Sequence, residues 1–288
     1  MFADCLAAAA ARIKAGFDGV YPSFDAVPVV EAMAYATQGG KRLRGFLVLE
    51  SARLHGIEED RAIWPAMAIG ALHAYSLVHD DLPCMDDDDL RRGRPTVHVR
   101  WDQATAVLAG DALQALAFEL ATRPEAGSGA VRADLGLSLA QASGARGMVL
   151  GQALDIAAEN SDRPLSLDQI TALQAGKTGA LIEWAACAGA RLAEADAAPL
   201  RLYAQALGLA FQIADDILDV EGDAEKAGKR LQKDAAAGKA TFVSLLGLDG
   251  ARARADALVG EACAALGPYG KAAESLKDAA RFVIAREN

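Results

Sequence analysis

The sequence of 288 residues has few aromatic residues, few cysteines and no long apolar run. Aromatic side chains make up 6% of it, and its four cysteines are Cys5, Cys84, Cys187 and Cys263. Cysteines this widely spaced, with no C-x-x-C pair, favour free thiols in a reducing compartment over disulfides or a zinc site. No stretch approaches 18 apolar residues, so we expect no membrane span. The Ala-rich stretch 6–11 has no basic segment before it, unlike a signal peptide, and we expect a cytoplasmic protein.

Positive charge is also scarce. The sequence has 29 Lys and Arg residues against 39 Asp and Glu residues, which gives a formal net charge of −10. An acidic surface repels polyanions, so the composition argues against a nucleic-acid-binding protein. Hydrophobic residues make up 52% of the sequence, which is enough for a sizeable core and too much for a disordered chain.

Helix-forming residues dominate, and no segment alternates between apolar and polar residues with a period of two. This pattern predicts about ten or more helices. Ser166, with Gln169 three residues later, has the pattern of a capping box and predicts the start of one of them. No linker rich in Pro or Ser divides the sequence. We therefore expect residues 1–288 to form one all-α domain, a large helical bundle around a central active-site cavity.

The longest acidic run, residues 79–89, directly follows an apolar helical segment. His73, Ser76 and Asp80 occupy positions i, i+3 and i+7 of that segment. Since burying unpaired polar groups is costly, this stripe is expected to face a wet cavity. Pro83 clashes with the carbonyl four residues earlier in a helix, so the helix should end before it. That break would allow Asp86 to come round beside Asp80.

A second acidic cluster lies on another apolar helical segment. Gln212, Asp215 and Asp219 share one face of it, and Asp216 stands beside them. Two like charges 4 Å apart repel by about 4 kcal/mol at an effective dielectric constant of 20. A bound divalent cation removes that repulsion. Carboxylates without nearby His or Cys ligands suit a hard ion such as Mg²⁺.

Other metal and nucleotide motifs do not fit. Counted from Asp86, an EF-hand needs Gly at the sixth position and Glu at the twelfth, where this sequence has Arg91 and Val97. A ferritin-like centre needs Glu-x-x-His helices, which are absent. Segments 176–178 and 238–241 look like the end of a phosphate-binding loop, but both lack its earlier glycine and the strand before it.

Basic residues lie close in sequence to the acidic clusters. Lys41 and Arg44 follow a pair of glycines, where a helix N-terminus would present backbone donors to an anion. Arg91, Arg92 and Lys229 follow the two acidic motifs. Mg²⁺ with Lys and Arg side chains suits a diphosphate leaving group better than covalent catalysis, and we predict no side-chain nucleophile.

These motifs together resemble the short-chain trans-isoprenyl diphosphate synthases, and most closely the farnesyl diphosphate synthases of bacteria. The matching segments, in the order of the family, are 39–45, 75–93, 151–155, 177–178, 215–219, 228–229 and Lys239. The resemblance implies the isoprenoid synthase fold and a homodimer. It also implies the head-to-tail (1′-4) condensation of isopentenyl diphosphate with dimethylallyl and geranyl diphosphate to farnesyl diphosphate, through Mg²⁺-assisted ionisation of the allylic diphosphate.

The same resemblance implies roles for individual residues. Three Mg²⁺ ions, with Mn²⁺ as an alternative, would be bound by Asp80, Asp86 and Asp215, supported by Asp81, Asp216 and Asp219. Isopentenyl diphosphate would be bound by Lys41, Arg44, His73 and Arg92. The allylic diphosphate would be bound by Arg91, Lys177, Thr178, Gln212, Lys229 and Lys239. One departure is Gln232, which stands where family members usually have a glycine.

By the resemblance, Tyr75 and Ser76 line the hydrocarbon pocket, five and four residues before the first aspartate motif. A bulky Tyr75 would form a floor and favour a C15 product, whereas the alternative is an ordinary core aromatic. A geranylgeranyl or geranyl diphosphate synthase shares the remaining motifs. An intact 215–219 motif argues against a terpene cyclase, and two intact motifs argue against an inactive regulatory subunit.

Overall fold

The computed structural model describes residues 2–159, 164–221 and 241–285, and these residues are mostly helical. The α-helices are α1 (Phe2–Val20), α2 (Pro28–Ala36), α3 (Leu43–Leu54), α4 (Glu59–Asp80), α5 (Val97–Arg100), α6 (Gln103–Ala121), α7 (Gly129–Ser143), α8 (Met148–Glu159), α9 (Leu167–Gln174), α10 (Ala180–Leu192), α11 (Ala198–Glu221), α12 (Phe242–Ala265) and α13 (Glu274–Ala285). A π-helical turn, Ala175–Gly179, joins α9 to α10. Short 3-10 turns cover Tyr21–Ser23, Pro124–Ala126 and Gly267–Ala273. The all-α expectation is confirmed.

The buried apolar side chains form one cluster that extends from Leu6 on α1 to Val283 on α13. Within it, α4 packs against α3 and α6, and α11 packs against α10 and α12. Small residues allow close approach of the helices: a Cβ atom on Gly189 of α10 would lie 2.1 Å from the backbone of Ser51 on α3. The buried Tyr203 hydroxyl of α11 donates to the Leu276 carbonyl of α13 over 2.7 Å. These contacts fix the helices that carry the acidic motifs.

Two local predictions are confirmed where the chain changes direction. The capping box at Ser166 and Gln169 is present at the start of α9. Helix α4 ends at Asp80, before Pro83, and the Asp86 N–H donates to the Asp80 carbonyl over 2.8 Å. The acidic loop therefore turns back onto the end of α4, in agreement with the break expected before Pro83.

The sequence did not predict a small hairpin in this loop. Strands β1 (Leu90–Arg91) and β2 (Arg94–Pro95) pair antiparallel, with Arg91 opposite Arg94. Its two-residue turn has φ of 56° at Arg92 and 70° at Gly93, and a turn with two positive φ values matches the twist of paired strands. Strands of two residues are too short to show alternation in a sequence. The hairpin carries Arg91 and Arg92 side by side between α4 and the 38–44 segment.

Helix α6 is the one described helix long and apolar enough to cross a membrane by length and composition, although we expected none. Core helices pass the same test, so this is weak evidence for a span. One side of α6, including Leu113 and Leu120, is buried against the rest of the chain, whereas Val107 and Leu108 are exposed.

Candidate active site

The end of α4, its acidic loop and the hairpin form the acid side of the site, defined here by Asp80, Asp81, Asp86 and Arg91. The buried Asp81 carboxylate accepts a hydrogen bond from Arg91 Nε over 2.9 Å and a second from Arg91 Nη2. Arg91 Nη2 also lies 3.4 Å from Asp88 Oδ2. Burial nevertheless raises the pKa of Asp81, against the effect of Arg91. Arg91 thus fastens the hairpin to α4.

Asp80 is in a different state from its neighbour Asp81. Its side chain makes no hydrogen bond or ion pair within the part of the chain that the structure describes. Burial, followed by the like charge of Asp86, raises the pKa of Asp80 to about 6, although Lys177 and Arg91 act in the opposite direction. The negative charge on Asp80 is therefore unfavourable until a cation is added.

The π-helical turn Ala175–Gly179 carries Lys177 and Thr178, and Lys177 is close enough to Asp80 for its charge to lower the pKa of that carboxyl. A Cβ atom on Gly151 of α8 would lie 2.1 Å from the Lys177 backbone nitrogen, so this close approach requires a glycine. Lys177 Nζ donates to Asp155 Oδ2 over 2.6 Å. The Thr178 hydroxyl donates to Gln212 Oε1 on α11 over 3.0 Å. Asp155, to which the sequence analysis gave no role, follows Gly151 by one helical turn.

The second acidic cluster lies on α11. Asp216 is buried, and its Oδ2 accepts a hydrogen bond from the backbone N–H of Phe242 over 2.7 Å. Phe242 is the first residue of α12, so this carboxylate satisfies a donor at a helix N-terminus. Asp215 is close enough to Arg44 for its charge to affect the pKa of that guanidinium. Asp215 therefore faces the basic residues of the cavity.

The segment before α3 has an unusual backbone. Gly39 and Gly40 have φ of 75° and 73°, and Arg42 adopts a left-handed conformation with φ of 52°. A Cβ atom on Gly40 would lie 2.6 Å from the Arg92 guanidinium, whose Nη1 donates to the Gln38 carbonyl over 3.2 Å. The Arg92 guanidinium can occupy this place against residue 40 because glycine has no side chain.

Lys41, Arg44, His73 and Arg92 form the basic side of the site. They line one cavity of about 450 Å³. Arg44 Nη1 lies 3.2 Å from His73 Nε2, and within the part of the chain that the structure describes the buried Nε of Arg44 has no hydrogen-bond partner. Lys41 Nζ lies 5.3 Å from the centre of the Phe282 ring on α13.

Neighbouring cations make the basic side electrostatically strained. Burial, opposed by Asp215 and reinforced by Arg92, lowers the pKa of Arg44 to about 10. Burial, then Arg44 and Arg92, lowers the pKa of His73 well below its ordinary value. His73 is therefore neutral at pH 7, and the charge beside it is carried by arginine. An anion in this cavity would remove the repulsion.

Tyr75 and Ser76 lie on α4 between the two sides. The Ser76 hydroxyl donates to the His73 carbonyl of the previous turn over 3.0 Å. The half-buried Tyr75 ring packs edge to face on His79, with ring centres 5.1 Å apart and planes at 80°. Burial, followed by Asp80 and Asp111, raises the pKa of the Tyr75 hydroxyl.

Carboxylates are suitable ligands for a divalent cation, but their positions do not form a complete coordination site. Among the described residues, no group of three or more His, Cys, Asp or Glu side chains is arranged to hold a metal ion. What favours one is the unfavourable charge on Asp80, whose pKa is raised by burial and then by the like charge of Asp86. A bound cation would stabilise that charge. Lys229, Gln232 and Lys239 lie outside the described residues.

Known proteins of similar sequence and architecture identify the family. A model of the polyprenyl synthetase family matches residues 28–274. Farnesyl diphosphate synthases of Haemophilus influenzae and Escherichia coli are 43% and 50% identical, over 96% and 83% of this chain and 94% and 82% of their own. A crystal structure of an apo FPP/GFPP synthase from Zymomonas mobilis matches with a TM-score of 0.90, 46% identity and 98% coverage of both chains. The resemblance noted in the sequence is thus confirmed, and the chain belongs to the polyprenyl synthetase family.

Proposed function

We propose that the protein is a prenyltransferase that condenses isopentenyl diphosphate with dimethylallyl diphosphate and then with geranyl diphosphate, to give farnesyl diphosphate. The observation that carries this proposal is that like charges are left without full compensation at both ends of one stretch of α4, acidic at Asp80 and basic at His73, beside Arg44. Asp80 and Asp86 repel each other, whereas Arg44 is buried beside a neutral His73 and forms no ion pair with a carboxylate of the described residues. A metal-bound diphosphate would compensate the repulsion between Asp80 and Asp86, and a diphosphate without metal would compensate the charge of Arg44.

Mg²⁺, when bound, supplies positive charge that stabilises the departing diphosphate. Asp80, Asp86 and Asp215 would hold it, with Asp81, Asp216 and Asp219 in support, and three ions are proposed. The resident cations for the allylic diphosphate would be Arg91 and Lys177, together with the polar Thr178 and Gln212. Lys229 and Lys239 complete the proposed set.

In the reaction, the allylic C1–O bond breaks and its electron pair leaves with diphosphate. The double bond of isopentenyl diphosphate then attacks C1 of the allylic cation. The diphosphate of this second substrate would be bound by Lys41, Arg44, His73 and Arg92. A proton lost from the isopentenyl unit goes to the released diphosphate and restores a double bond. The side chains position the reactants, stabilise charge and exclude water, and none acts as a nucleophile.

The C15 product rests on two supports. Relatives over most of the chain are farnesyl diphosphate synthases. In addition, Tyr75 precedes the first aspartate motif by five residues and carries a bulky ring at the proposed pocket floor. A longer product is the second candidate, because the similar Zymomonas mobilis protein is described as an FPP/GFPP synthase. Geranylgeranyl diphosphate (C20) and geranyl diphosphate (C10) are the alternatives left by the shared motifs, and a geranylgeranyl pyrophosphate synthase of Arabidopsis thaliana is also similar, at 42% identity.

The proposed enzyme is a single domain over residues 1–288 that works as a homodimer in the cytoplasm. One apolar cluster from Leu6 to Val283 supports the single domain. Val107 and Leu108 on α6 are 42% and 53% exposed, and Leu137 on α7 is 62% exposed, which supports a second copy covering these helices. Four free thiols support a reducing compartment.

The test is incubation of purified protein with labelled isopentenyl diphosphate, each allylic starter and Mg²⁺, followed by chain-length chromatography. We expect C15 as the main product from both dimethylallyl and geranyl diphosphate, and no product after chelation of the metal. Condensation to a different main length would contradict the C15 product alone. No condensation with any starter would leave the regulatory-subunit alternative.

A further inference from the structure

His79 is the residue next to the first aspartate motif, and it contacts two helices at once. Its Nε2 lies 3.0 Å from the Val107 carbonyl oxygen of α6. A carbonyl oxygen only accepts hydrogen bonds, so the imidazole must carry its proton on Nε2. On its other side, the ring packs against Tyr75, which lies one turn earlier on α4.

Helix α6 is shaped to receive this imidazole. A Cβ atom on Gly110 would lie 2.0 Å from His79 Nε2 and 2.3 Å from His79 Cδ2. Real side chains do not tolerate such contacts, so residue 110 must be glycine for His79 to stay where it is. Glycine inside a helix costs roughly 1 kcal/mol relative to alanine. The buried Gly110 in α6 is therefore explained by packing, because it leaves space for the His79 ring.

The consequence for Tyr75 is steric. With His79 seated against Gly110 and tied to Val107, the space between α4 and α6 beside the Tyr75 ring is filled. The edge-to-face geometry, with planes at 80°, also favours one orientation of the Tyr75 ring. Without the imidazole, the ring could turn towards α6 and vacate its place.

We infer that His79 is a positioning residue for product length, which braces Tyr75 against the growing hydrocarbon chain and depends on Gly110 for its own place. This inference rests on the proposed function and deepens it. It assigns the pocket floor to a stack of three residues, in which only Tyr75 touches the substrate.

The experiment compares products made from dimethylallyl and isopentenyl diphosphate with Mg²⁺ by the wild type and its variants. His79→Ala should raise the C20-to-C15 ratio about two- to tenfold, the factor expected for loss of one aromatic edge contact. His98→Ala is the matched control, because His98 is also half-buried and contacts a single hydroxyl, that of Thr96, over 3.1 Å. We expect its ratio to equal that of the wild type. Loss of general stability would lower all products together without moving the ratio.

Double variants test whether His79 acts through Tyr75. Tyr75→Ala should lengthen the product more than His79→Ala does, and His79→Ala should add nothing in the Tyr75→Ala background. Gly110→Ala should also lengthen the product, and it should lose this effect when His79 is already alanine. If His79→Ala folds poorly, Gly110→Ala provides the same displacement with His79 still present.

Two results would overturn the inference. One is a wild-type product distribution from His79→Ala or Gly110→Ala. The other is a further lengthening by His79→Ala when Tyr75 is already alanine, since His79 would then line the pocket itself. Either result leaves the proposed function intact, provided that the wild type makes a prenyl diphosphate. A wild type without condensation activity would instead remove the proposed function.

Discussion

The acid side and the basic side of the site differ in whether their buried charges have partners within the chain. On the acid side, Asp81 has Arg91 as a partner at 2.9 Å, and Lys177 has Asp155 at 2.6 Å. On the basic side, Arg44 Nη1 lies 3.2 Å from the neutral His73, and the Nε of Arg44 has no hydrogen-bond partner among the described residues. Asp81 and Lys177 therefore have counter-ions within the chain, whereas the described residues place no ion-pair partner on Arg44 or Asp80.

This difference indicates which charges support the fold and which are reserved for ligands. A buried ion pair is strongly destabilised when one member is removed, because the other is left without compensation. A buried cation without a partner costs stability from the start, and removing it can only relieve that cost. Asp80 on the acid side is similar to Arg44, because its buried charge is also not fully compensated by the chain. Substitutions should therefore separate activity from stability at Arg44 and Asp80 but not at Arg91.

The largest effect is expected for Asp80→Asn. Loss of one carboxylate that holds the positive charge for ionisation should lower kcat for condensation by about 100- to 1000-fold. Because the substitution also removes the repulsion with Asp86, the melting temperature of the metal-free protein should rise. Steady-state kinetics and thermal unfolding in chelator measure the two effects.

Asp87→Asn is the matched control for Asp80→Asn. Asp87 lies in the same loop, is exposed and adopts a left-handed backbone with φ of 50°, which asparagine also tolerates. Its kinetics should remain at the wild-type level. Equal losses in both variants would mean that the loop responds to net charge and not to Asp80 itself.

Arg44→Met is expected to have the next largest effect. Loss of a charge-assisted contact to the diphosphate of isopentenyl diphosphate, worth about 1.5–3 kcal/mol, should raise the KM for this substrate about 10- to 100-fold. The KM for geranyl diphosphate should change much less. Since the lost guanidinium is buried and has no carboxylate partner among the described residues, the free energy of unfolding should stay the same or increase. A large loss of stability would contradict the idea that this charge is reserved for a ligand.

Arg91→Met should give the opposite stability result. It would leave the buried Asp81 carboxylate without its partner and lower the free energy of unfolding by about 2 kcal/mol. This is less than a fully buried pair would lose, because the Arg91 side chain is 30% exposed. Urea unfolding measures the loss, and Arg91→Met/Asp81→Leu should recover part of it. An unchanged unfolding midpoint in Arg91→Met would remove the distinction between the two sides.

How much of this site could be predicted from the sequence depends on how far apart in the sequence the interacting residues are. The end of α4 and the return of Asp86 follow from Pro83, a local signal. The two acidic faces follow from helical spacing. By contrast, the contact from Asp216 to Phe242 and the space that Gly110 leaves for His79 join residues far apart in the chain, which no local pattern encodes. Lys177 entered through family resemblance, and its partner Asp155 was found only in the structure.

The smallest expected effect concerns Asp216, which belongs to an acidic motif but is hydrogen-bonded like a helix cap. Asp216→Ala should lower the free energy of unfolding by about 1 kcal/mol or somewhat more, because the Phe242 N–H loses its acceptor. Asp216→Asn keeps an oxygen that can accept this hydrogen bond and should recover most of the loss, as measured by urea unfolding in chelator. Mg²⁺ titration of activity then separates the two roles. If Asp216 supports the metal mainly by its charge, Asn should be as defective as Ala in Mg²⁺ dependence. If it mainly anchors α12, Asn should restore both stability and Mg²⁺ dependence, and Asp216 would belong with Asp81 among the acids whose compensation lies within the chain.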